Sequence, residues 1–324
     1  MRRCPRAGRA VKETTMNHAI YAFPMTVAAV TVLALAGFAC AAKPAAAAAS
    51  ALPAVEGVRQ ESFVYKKTPH AELSIHVSYP PGWKASDRRP AIVFFFGGGW
   101  IGGTVEQFAP QAAYLAGRGM VAARADYRVW SRHKATPDKC VEDARGAVRW
   151  MRANAAKLGI CPAQLCASGG SAGGHLAIAT ACVQGVDADT DDKTISAVPN
   201  LLVLYNPVMD TTIYRGRIAT DEMARRLSPM HNITKDLPPA VFYYGADDKF
   251  YEPVKPLPAR AAELKLDLAV YLARGQAHGF FNRSPWLERT TYATDRFLAR
   301  HGYLTGEPTI KLPDGKLELE KASK

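Results

Sequence analysis

Short apolar runs that alternate with helical patterns limit the folds open to this chain. The runs "AIVFFF" at 91–96, "MVAARADY" at 120–127 and "LLVLYNP" at 201–207 are largely apolar. Such runs are typical of strands that are buried on both faces of a sheet. Helical patterns occur at 138–158 and at about 286–300. The alternation predicts an α/β fold, with a mostly parallel sheet flanked by helices on both faces.

The remaining strands follow from shorter patterns. An opening pair is expected at 62–67 and 73–80, and further strands at 164–168, 240–245 and 268–273. Between the strands at 201–207 and 240–245, residues 208–239 are long enough for a small cap-like insertion that forms part of a pocket wall.

Composition supports one large globular domain and argues against a polyanionic partner. The chain has 324 residues, and its hydrophobic fraction of 48% suits a packed core. The net charge of +12 is carried partly by the first twelve residues, and the rest of the excess is scattered. No basic stripe is interleaved with aromatic residues, so nucleic-acid binding is not expected.

The N-terminus has the pattern of an export signal. Residues 14–42 contain no Lys, Arg, Asp or Glu, and Ala39-Cys40-Ala41 fits a small-x-small cleavage site. We expect 1–41 to be a signal peptide cleaved after Ala41, and the protein to be periplasmic or extracellular. An uncleaved membrane anchor is the alternative, and only then is a membrane a partner. A lipid-modified Cys40 is disfavoured by the bulk of Phe38. Residues 42–60 resemble a low-complexity linker.

The cysteines and one acidic stretch give no metal site. Cys140, Cys161, Cys166 and Cys182 match no zinc spacing. They are expected to be buried free thiols, although export would permit a disulfide. The stretch "DADTDD" at 187–192 lacks the glycine and glutamate of a calcium loop, so a solvated acidic loop is expected.

The sequence "LCASGGSAGGHLA" at 165–177 places one serine among small residues. Gly169 to Gly173 read G-x-S-x-G, between an expected strand and an expected helix. In that context the pattern indicates a nucleophile elbow, whose strained turn exposes the serine and excludes bulky neighbours. Ser171 is therefore the candidate nucleophile, and the amides at the start of the next helix face the site.

A nucleophilic serine needs a base and an acid, which follow it in this architecture in the order acid, then histidine. His278 lies in a glycine-flanked loop after an expected strand and is favoured over His231 and His301. The loop "GADDKFYEP" at 245–253 offers Asp247, Asp248 and Glu252 as the acid, and the residues alone do not decide between the two aspartates.

A glycine-rich loop follows the expected strand at 91–96. Gly97, Gly98 and Gly99 can present bare amides to a ligand, as the HGGG-type loop of esterases does. Such donors stabilise the oxyanion of a tetrahedral intermediate.

Several motifs together resemble α/β-hydrolase esterases of the hormone-sensitive-lipase-like and bacterial acetyl xylan or feruloyl esterase-like group. They span about 61–304 and are "GGGW" at 97–100, "DYR" at 126–128, "ASGGSAGGHLA" at 167–177, "NP" at 206–207, "LPP" at 237–239, "GADD" at 245–248 and "GQAHGFFN" at 275–282. By this resemblance the catalytic residues are Ser171, Asp248 and His278, and the oxyanion donors are the amides of Gly98, Gly99 and Ala172. "DYR" is expected to be structural, and residues 305–324 a charged tail.

One position departs from the family pattern. The loop of the family usually begins with His, and here Phe96 occupies that place, so we expect it to brace the loop by packing.

The resemblance implies a serine esterase without metal or organic cofactor, acting on a small-molecule or polysaccharide ester with a short acyl group. With the N-terminal signal, the sequence predicts that this esterase is exported. Alternatives are a serine peptidase of the same fold and a non-catalytic carbohydrate-binding protein.

Overall fold

The computed structural model of the protein describes residues 52–323, apart from positions 54, 215, 316 and 317. The expected signal peptide or anchor, the cleavage site and most of the linker lie outside the described residues. No helix among the residues described is long and apolar enough to cross a membrane.

A single twisted layer of strands organises the described part of the chain. In chain order the strands are β1 (Arg59–Thr68), β2 (Ala71–Tyr79), β3 (Arg89–Phe95), β4 (Val121–Ala125), β5 (Ile160–Gly170), β6 (Leu201–Tyr205), β7 (Ala240–Gly245), β8 (Leu268–Ala273) and β9 (Leu319–Lys321). Their spatial order is β1-β2-β4-β3-β5-β6-β7-β8-β9. The pairs from β4 to β8 are parallel, whereas β1, β2 and β9 are paired antiparallel. The expected opening pair of strands and the mostly parallel sheet are confirmed.

Helices cover both faces of this sheet, as expected. They are α1 (Ala109–Gly117), α2 (Trp130–His133), α3 (Pro137–Ala153), α4 (Ala155–Leu158), α5 (Ala172–Cys182), α6 (Asp221–Leu227), α7 (Pro229–Asn232), α8 (Leu257–Glu263) and α9 (Trp286–Arg300). Along β3, Val93 and Phe95 pack in the core that includes α3 and α5, and Ile92 and Phe94 pack in the core that includes α1 and α9. Because side chains alternate along a strand, one apolar run serves both cores.

Two details differ from the sequence expectations. The helix expected at 138–158 breaks at Asn154, whose side-chain Nδ2 donates to the carbonyl of Trp150 at 2.9 Å. The backbone of Asn154 leaves helical geometry, with φ −99° and ψ 17°, which separates α3 from α4. The segment 305–324, expected to be a charged tail, contains β9, which pairs with β8. Only Leu319 of this three-residue strand is apolar, so no pattern indicated it.

The register of the parallel strands aligns their carboxyl ends. Phe95 pairs with Gly169, Gly170 with Tyr205, and Gly245 with Ala273. The loops after β3, β5, β6, β7 and β8 therefore emerge at one edge of the sheet. This is where ligands bind in α/β folds. The insertion at 208–239 follows β6 and contains α6 and α7.

Candidate active site

Ser171 lies on a strained turn between β5 and α5. Its backbone has φ 54° and ψ −119°, a combination that side-chain-bearing residues rarely adopt. Three backbone bonds hold the turn: the amide of Ser171 donates to the carbonyl of Tyr205 at 2.9 Å, and its carbonyl accepts from the amides of His175 at 2.9 Å and Val208 at 3.2 Å. The helix that follows directs its free N-terminal amides towards the serine.

The glycines around Ser171 are required by close backbone contacts. A Cβ atom at Gly173 would lie 2.1 Å from the carbonyl oxygen of Phe95, and one at Gly169 would lie 2.4 Å from the carbonyl oxygen of Gly173. At Gly170 it would lie 2.5 Å from the ring of Phe281. The small residues of this motif therefore let β5 and α5 approach the end of β3.

The structure brings Ser171, His278 and Asp248 together in one line of hydrogen bonds. The Oγ atom of Ser171 lies 2.8 Å from Nε2 of His278, and Nδ1 of His278 lies 2.7 Å from Oδ2 of Asp248. A carboxylate only accepts hydrogen bonds, so Nδ1 carries the ring proton and Nε2 is free to accept from the serine hydroxyl. Such a line can remove the serine proton as the oxygen attacks a carbonyl.

Of the three candidate acids, only Asp248 contacts the histidine. Its side chain is fully buried, and Oδ1 accepts from the amide of Phe250 at 2.9 Å. Asp247 is exposed to solvent, and the exposed carboxylate of Glu252 pairs with Lys255 at 2.6 Å.

The two alternative histidines bind elsewhere. Nδ1 of His231 lies 2.8 Å from Oγ of Ser228, and Nε2 of His301 lies 3.6 Å from Oδ2 of Asp267. Neither forms a hydrogen bond with Ser171.

The glycine loop after β3 lies beside the serine. A Cβ atom at Gly97 would lie 3.3 Å from Cβ of Ser171. Gly98 and Gly99 have φ values of 130° and 64°, which favour glycine. Among the described residues, no acceptor binds the amides of these two glycines. The amide of Ala172, at the first position of α5, has no partner within its helix. The amides of Gly98, Gly99 and Ala172 thus lie on segments that meet at the same edge of the sheet as Ser171.

Phe96 packs as expected at the start of this loop. Its ring stacks on the ring of Tyr127 with centroids 4.2 Å apart, and the hydroxyl of Tyr127 donates to the carbonyl of Phe96 at 2.7 Å. Next to Tyr127 in "DYR", Arg128 forms two bonds to the buried carboxylate of Asp143, at 2.7 and 2.8 Å. These contacts give Tyr127 and Arg128 structural roles.

Known proteins with similar sequences are esterases. The family model described as BD-FAE matches residues 77–203. Carboxylesterase NlhH of Mycobacterium tuberculosis is 32% identical over 106 residues, which is 32% of each chain. Esterase LipC of the same organism is 26% identical over 197 residues, covering 51% of this chain and 47% of LipC. The chain thus spans about a third to a half of these two relatives.

The match to a solved structure is more extensive. The apo form of Thermogutta terrifontis esterase 2 is 40% identical, with a TM-score of 0.74, and the match covers 79% of this chain and 98% of that one. The chain belongs to the α/β-hydrolase esterases. The family expected from its motifs is thereby confirmed.

One residue of this α/β-hydrolase that positions the histidine loop was not singled out from the sequence. Asn206, directly after β6, is buried, and its Oδ1 accepts from the amide of Gly279 at 3.0 Å. Gly279 follows His278, so this bond fixes the peptide next to the imidazole. The dipeptide "NP" at 206–207 marked the position, but no pattern indicated the contact.

The acidic stretch at 187–192 is paired with cations. Asp187 binds Arg145 and Arg149 at 2.6 and 2.7 Å, and Asp191 binds Lys66 at 3.1 Å. The expectation of a solvated loop is therefore wrong for these two aspartates, since buried cations of β1 and α3 need acidic partners.

The described residues contain no group of three or more side chains arranged to hold a metal ion. The four cysteines are free, as expected. Cys140 and Cys166 are buried, whereas Cys161 and Cys182 are only half-buried, so the expectation of burial is wrong for these two.

Two cavities flank the site of the α/β-hydrolase. One of about 500 Å³ lies beside the glycine loop, between Gly99, Trp130 and Gly216–Ala219 of the insertion. Residues of the insertion thus form part of a cavity wall, as expected. The other, of about 620 Å³, lies beside His278.

His175 is a buried histidine of α5 that generates a pH-dependent stability. Its Nε2 donates to the carbonyl of Leu227 at 2.8 Å, and burial lowers its pKa to about 4. In the unfolded chain the pKa is about 6.5, so protons bind preferentially to the unfolded state at pH values between these two pKa values. This contribution to stability is complete above the unfolded pKa and is lost as the pH falls towards the folded pKa.

We therefore expect His175→Gln to flatten the pH dependence of the unfolding free energy. The wild-type contribution falls by about 2 kcal/mol between about pH 7.5 and pH 5. Urea unfolding across this range measures it, with exposed His70→Gln as the matched control. Equal slopes for wild type and His175→Gln would contradict a neutral buried His175.

Proposed function

We propose that the protein is an exported serine esterase that hydrolyses carboxylic esters through an acyl-enzyme. The observation that carries the proposal is the unbroken line of hydrogen bonds from Ser171 through His278 to Asp248. It ends beside a glycine loop with free amides. The esterase relatives support the reaction class.

In the proposed reaction, Oγ of Ser171 attacks the ester carbonyl while Nε2 of His278 takes the hydroxyl proton. The carbonyl oxygen becomes an oxyanion and accepts hydrogen bonds from the amides of Gly98, Gly99 and Ala172. Each such donor contributes roughly 3 to 4 kcal/mol in a preorganised site. His278 then returns its proton to the leaving alkoxide, and an alcohol departs. Water repeats these steps on the acyl-enzyme and releases the carboxylic acid.

Asp248 holds the imidazole in the tautomer that this reaction needs. Its buried carboxylate accepts from Nδ1–H and stabilises the imidazolium that forms during attack. The amide of Phe250 binds the other carboxylate oxygen, which fixes the direction of the acid.

The proposed substrate is a short-acyl ester, such as an acetyl ester of a carbohydrate. Structures of Thermogutta terrifontis esterase 2 with propionate and with butyrate bound support a short acyl group. The cavity beside Gly99 supports a carbohydrate as the alcohol part of the ester, because Trp130 on its wall is 50% exposed and offers an aromatic face to the C–H face of a sugar ring.

Export is proposed from the N-terminal sequence alone. The apolar stretch and the small residues up to Ala41 support cleavage after that residue, and hence a periplasmic or extracellular enzyme.

Replacement of the nucleophile is the central test. We expect Ser171→Ala to fold normally and to lose turnover of 4-nitrophenyl acetate by roughly four orders of magnitude or more, since the attacking oxygen is gone. Paraoxon phosphorylates Thermogutta terrifontis esterase 2, so it should add one diethylphosphoryl group at Ser171 of the wild type, detectable by mass spectrometry. Near-normal turnover of Ser171→Ala would refute the mechanism. A peptide anilide cleaved faster than every ester would favour the peptidase.

The two adjacent aspartates provide a matched pair. Asp248→Asn keeps the shape but stabilises the wrong imidazole tautomer, so kcat should fall by about 10⁴. Asp247→Asn alters an exposed carboxylate and should change kcat less than about threefold. Steady-state kinetics at one pH measure both, with circular dichroism as the check on folding. Loss of activity in Asp247→Asn alone would place the acid one residue earlier.

The cavity beside Gly99 is tested by substrate size. We expect Trp130→Ala to lower kcat/KM about tenfold for an acetylated xylo-oligosaccharide, through loss of the aromatic contact. The value for 4-nitrophenyl acetate should change little. Leu312→Ala, another exposed apolar residue, is the control. Equal losses on both substrates would argue against carbohydrate binding at Trp130.

The site of cleavage is tested on protein from the native host. The mature chain should begin at Ala42, because signal peptidase cuts after small residues. Intact-mass analysis measures this, and a membrane-bound form that retains residues 19–41 would indicate the anchor instead.

A further inference from the structure

A bridge of side-chain amides joins the glycine loop to the histidine loop. Oε1 of Gln107 accepts from the amide of Gly97 at 2.6 Å, and Nε2 of Gln107 donates to Oδ1 of Asn282 at 3.1 Å. Nδ2 of Asn282 then donates to the carbonyl of Gly279 at 2.9 Å. Two side chains thus connect the start of the proposed oxyanion loop to the residue after His278.

All hydrogen bonds of the bridge follow the same order of acceptor and donor. Each carboxamide accepts through its oxygen from the side of the glycine loop and donates through its nitrogen towards the histidine loop. An amide offers both functions, whereas a carboxylate offers only acceptors and a methyl group offers neither. Glutamine and asparagine are therefore required chemically, and Glu or Asp cannot replace them.

Each end of the bridge completes the fixation of a backbone segment. The peptide between Phe96 and Gly97 is held at its carbonyl by the hydroxyl of Tyr127 and at its N–H by Gln107. Gly279 is held at its N–H by Asn206, and its carbonyl accepts both from Nδ2 of Asn282 at 2.9 Å and from the backbone amide of Asn282 at 3.2 Å. The Phe96–Gly97 peptide plane is thus fixed on both sides, and the peptide planes before and after Gly279 are each held at one group.

We infer that Gln107 and Asn282 are positioning residues that couple the oxyanion loop to the base, an inference that rests on the proposed function. The free amides of Gly98 and Gly99 follow the peptide that Gln107 holds. The imidazole of His278 precedes the residue that Asn282 holds. The bridge keeps the distance and orientation between the amides of Gly98 and Gly99 and Nε2 of His278 constant while the tetrahedral intermediate forms. Neither side chain needs to touch the substrate in this role.

A double-mutant cycle tests the coupling. We expect Gln107→Ala and Asn282→Ala each to lower kcat for 4-nitrophenyl acetate about tenfold, the effect of about one hydrogen bond that serves the transition state. KM should stay within about twofold. The double variant should lose no more than about the worse single variant, because the first change already breaks the bridge.

Two further variants separate positioning from other roles. Asn282→Asp keeps the acceptor for Gln107, but its side chain cannot donate to the carbonyl of Gly279, which keeps only the bond from the backbone amide of residue 282. It should therefore lose kcat as Asn282→Ala does. Gln164→Ala is the matched control, since Gln164 also binds one backbone carbonyl, that of Gly302 at 3.2 Å, but lies six residues before the carboxyl end of β5. Its kcat and KM should match the wild type.

Results that contradict the coupling differ from results that contradict the proposed function. Multiplicative losses in the double variant, full activity of Asn282→Asp, or a rise in KM with unchanged kcat would overturn the coupling, and the last would indicate a substrate contact. Active Ser171→Ala would instead overturn the proposed function. A wild type that reacts through Ser171, combined with unaffected bridge variants, removes only this inference.

Discussion

The strained turn at Ser171 is the constraint on which the rest of the site depends. A backbone with φ 54° and ψ −119° at a serine costs roughly 1–3 kcal/mol, so its surroundings must hold it. The holding contacts come from β6 and α5, through Tyr205 and His175. They form only because Gly169 and Gly173 leave room for the carbonyl of Phe95. The turn therefore fixes where β3, β5 and β6 end relative to one another.

The same principle of close backbone contact places the acid and the histidine. Asp248 follows β7 and His278 follows β8, and the two loops touch: a Cβ atom at Gly245 would lie 2.0 Å from the carbonyl oxygen of Gln276. The amide of Asp247 donates to that same carbonyl at 2.9 Å. The backbone amide of Asp247 thus makes the contact between the two loops, while its side chain lies in solvent. The next residue turns inward, which explains why Asp248 is the residue that meets the histidine.

The sequence predicted those features that depend on neighbouring residues. Apolar runs such as 91–96 revealed the strands because burial on both faces imposes a local pattern. The serine turn was evident because its glycines are adjacent to it. The residues alone could not decide between Asp247 and Asp248, since adjacent carboxylates have equal chemistry and differ only in the direction in which their side chains point. It was made by resemblance.

Contacts between distant polar side chains had no sequence signal. Asn282 lies 175 positions from Gln107, and neither side chain belongs to a periodic pattern. The pairing of Asp187 and Asp191 with buried cations was missed for the same reason, and an acidic run looked like a solvated loop.

Phe96 shows how the glycine loop is supported in the absence of the family's usual histidine. A phenylalanine ring cannot donate or accept a conventional hydrogen bond, so it cannot tie the loop through its own side chain. It stacks on Tyr127 instead. The polar contacts to the loop come from outside: Tyr127 at the carbonyl of Phe96, Gln107 at the amide of Gly97, and Arg217 at the carbonyl of Gly99 at 3.0 Å. Because Arg217 belongs to the insertion and the side chain of Gln107 is bonded to Asn282 of the histidine loop, the glycine loop is supported by two other segments at this edge of the sheet.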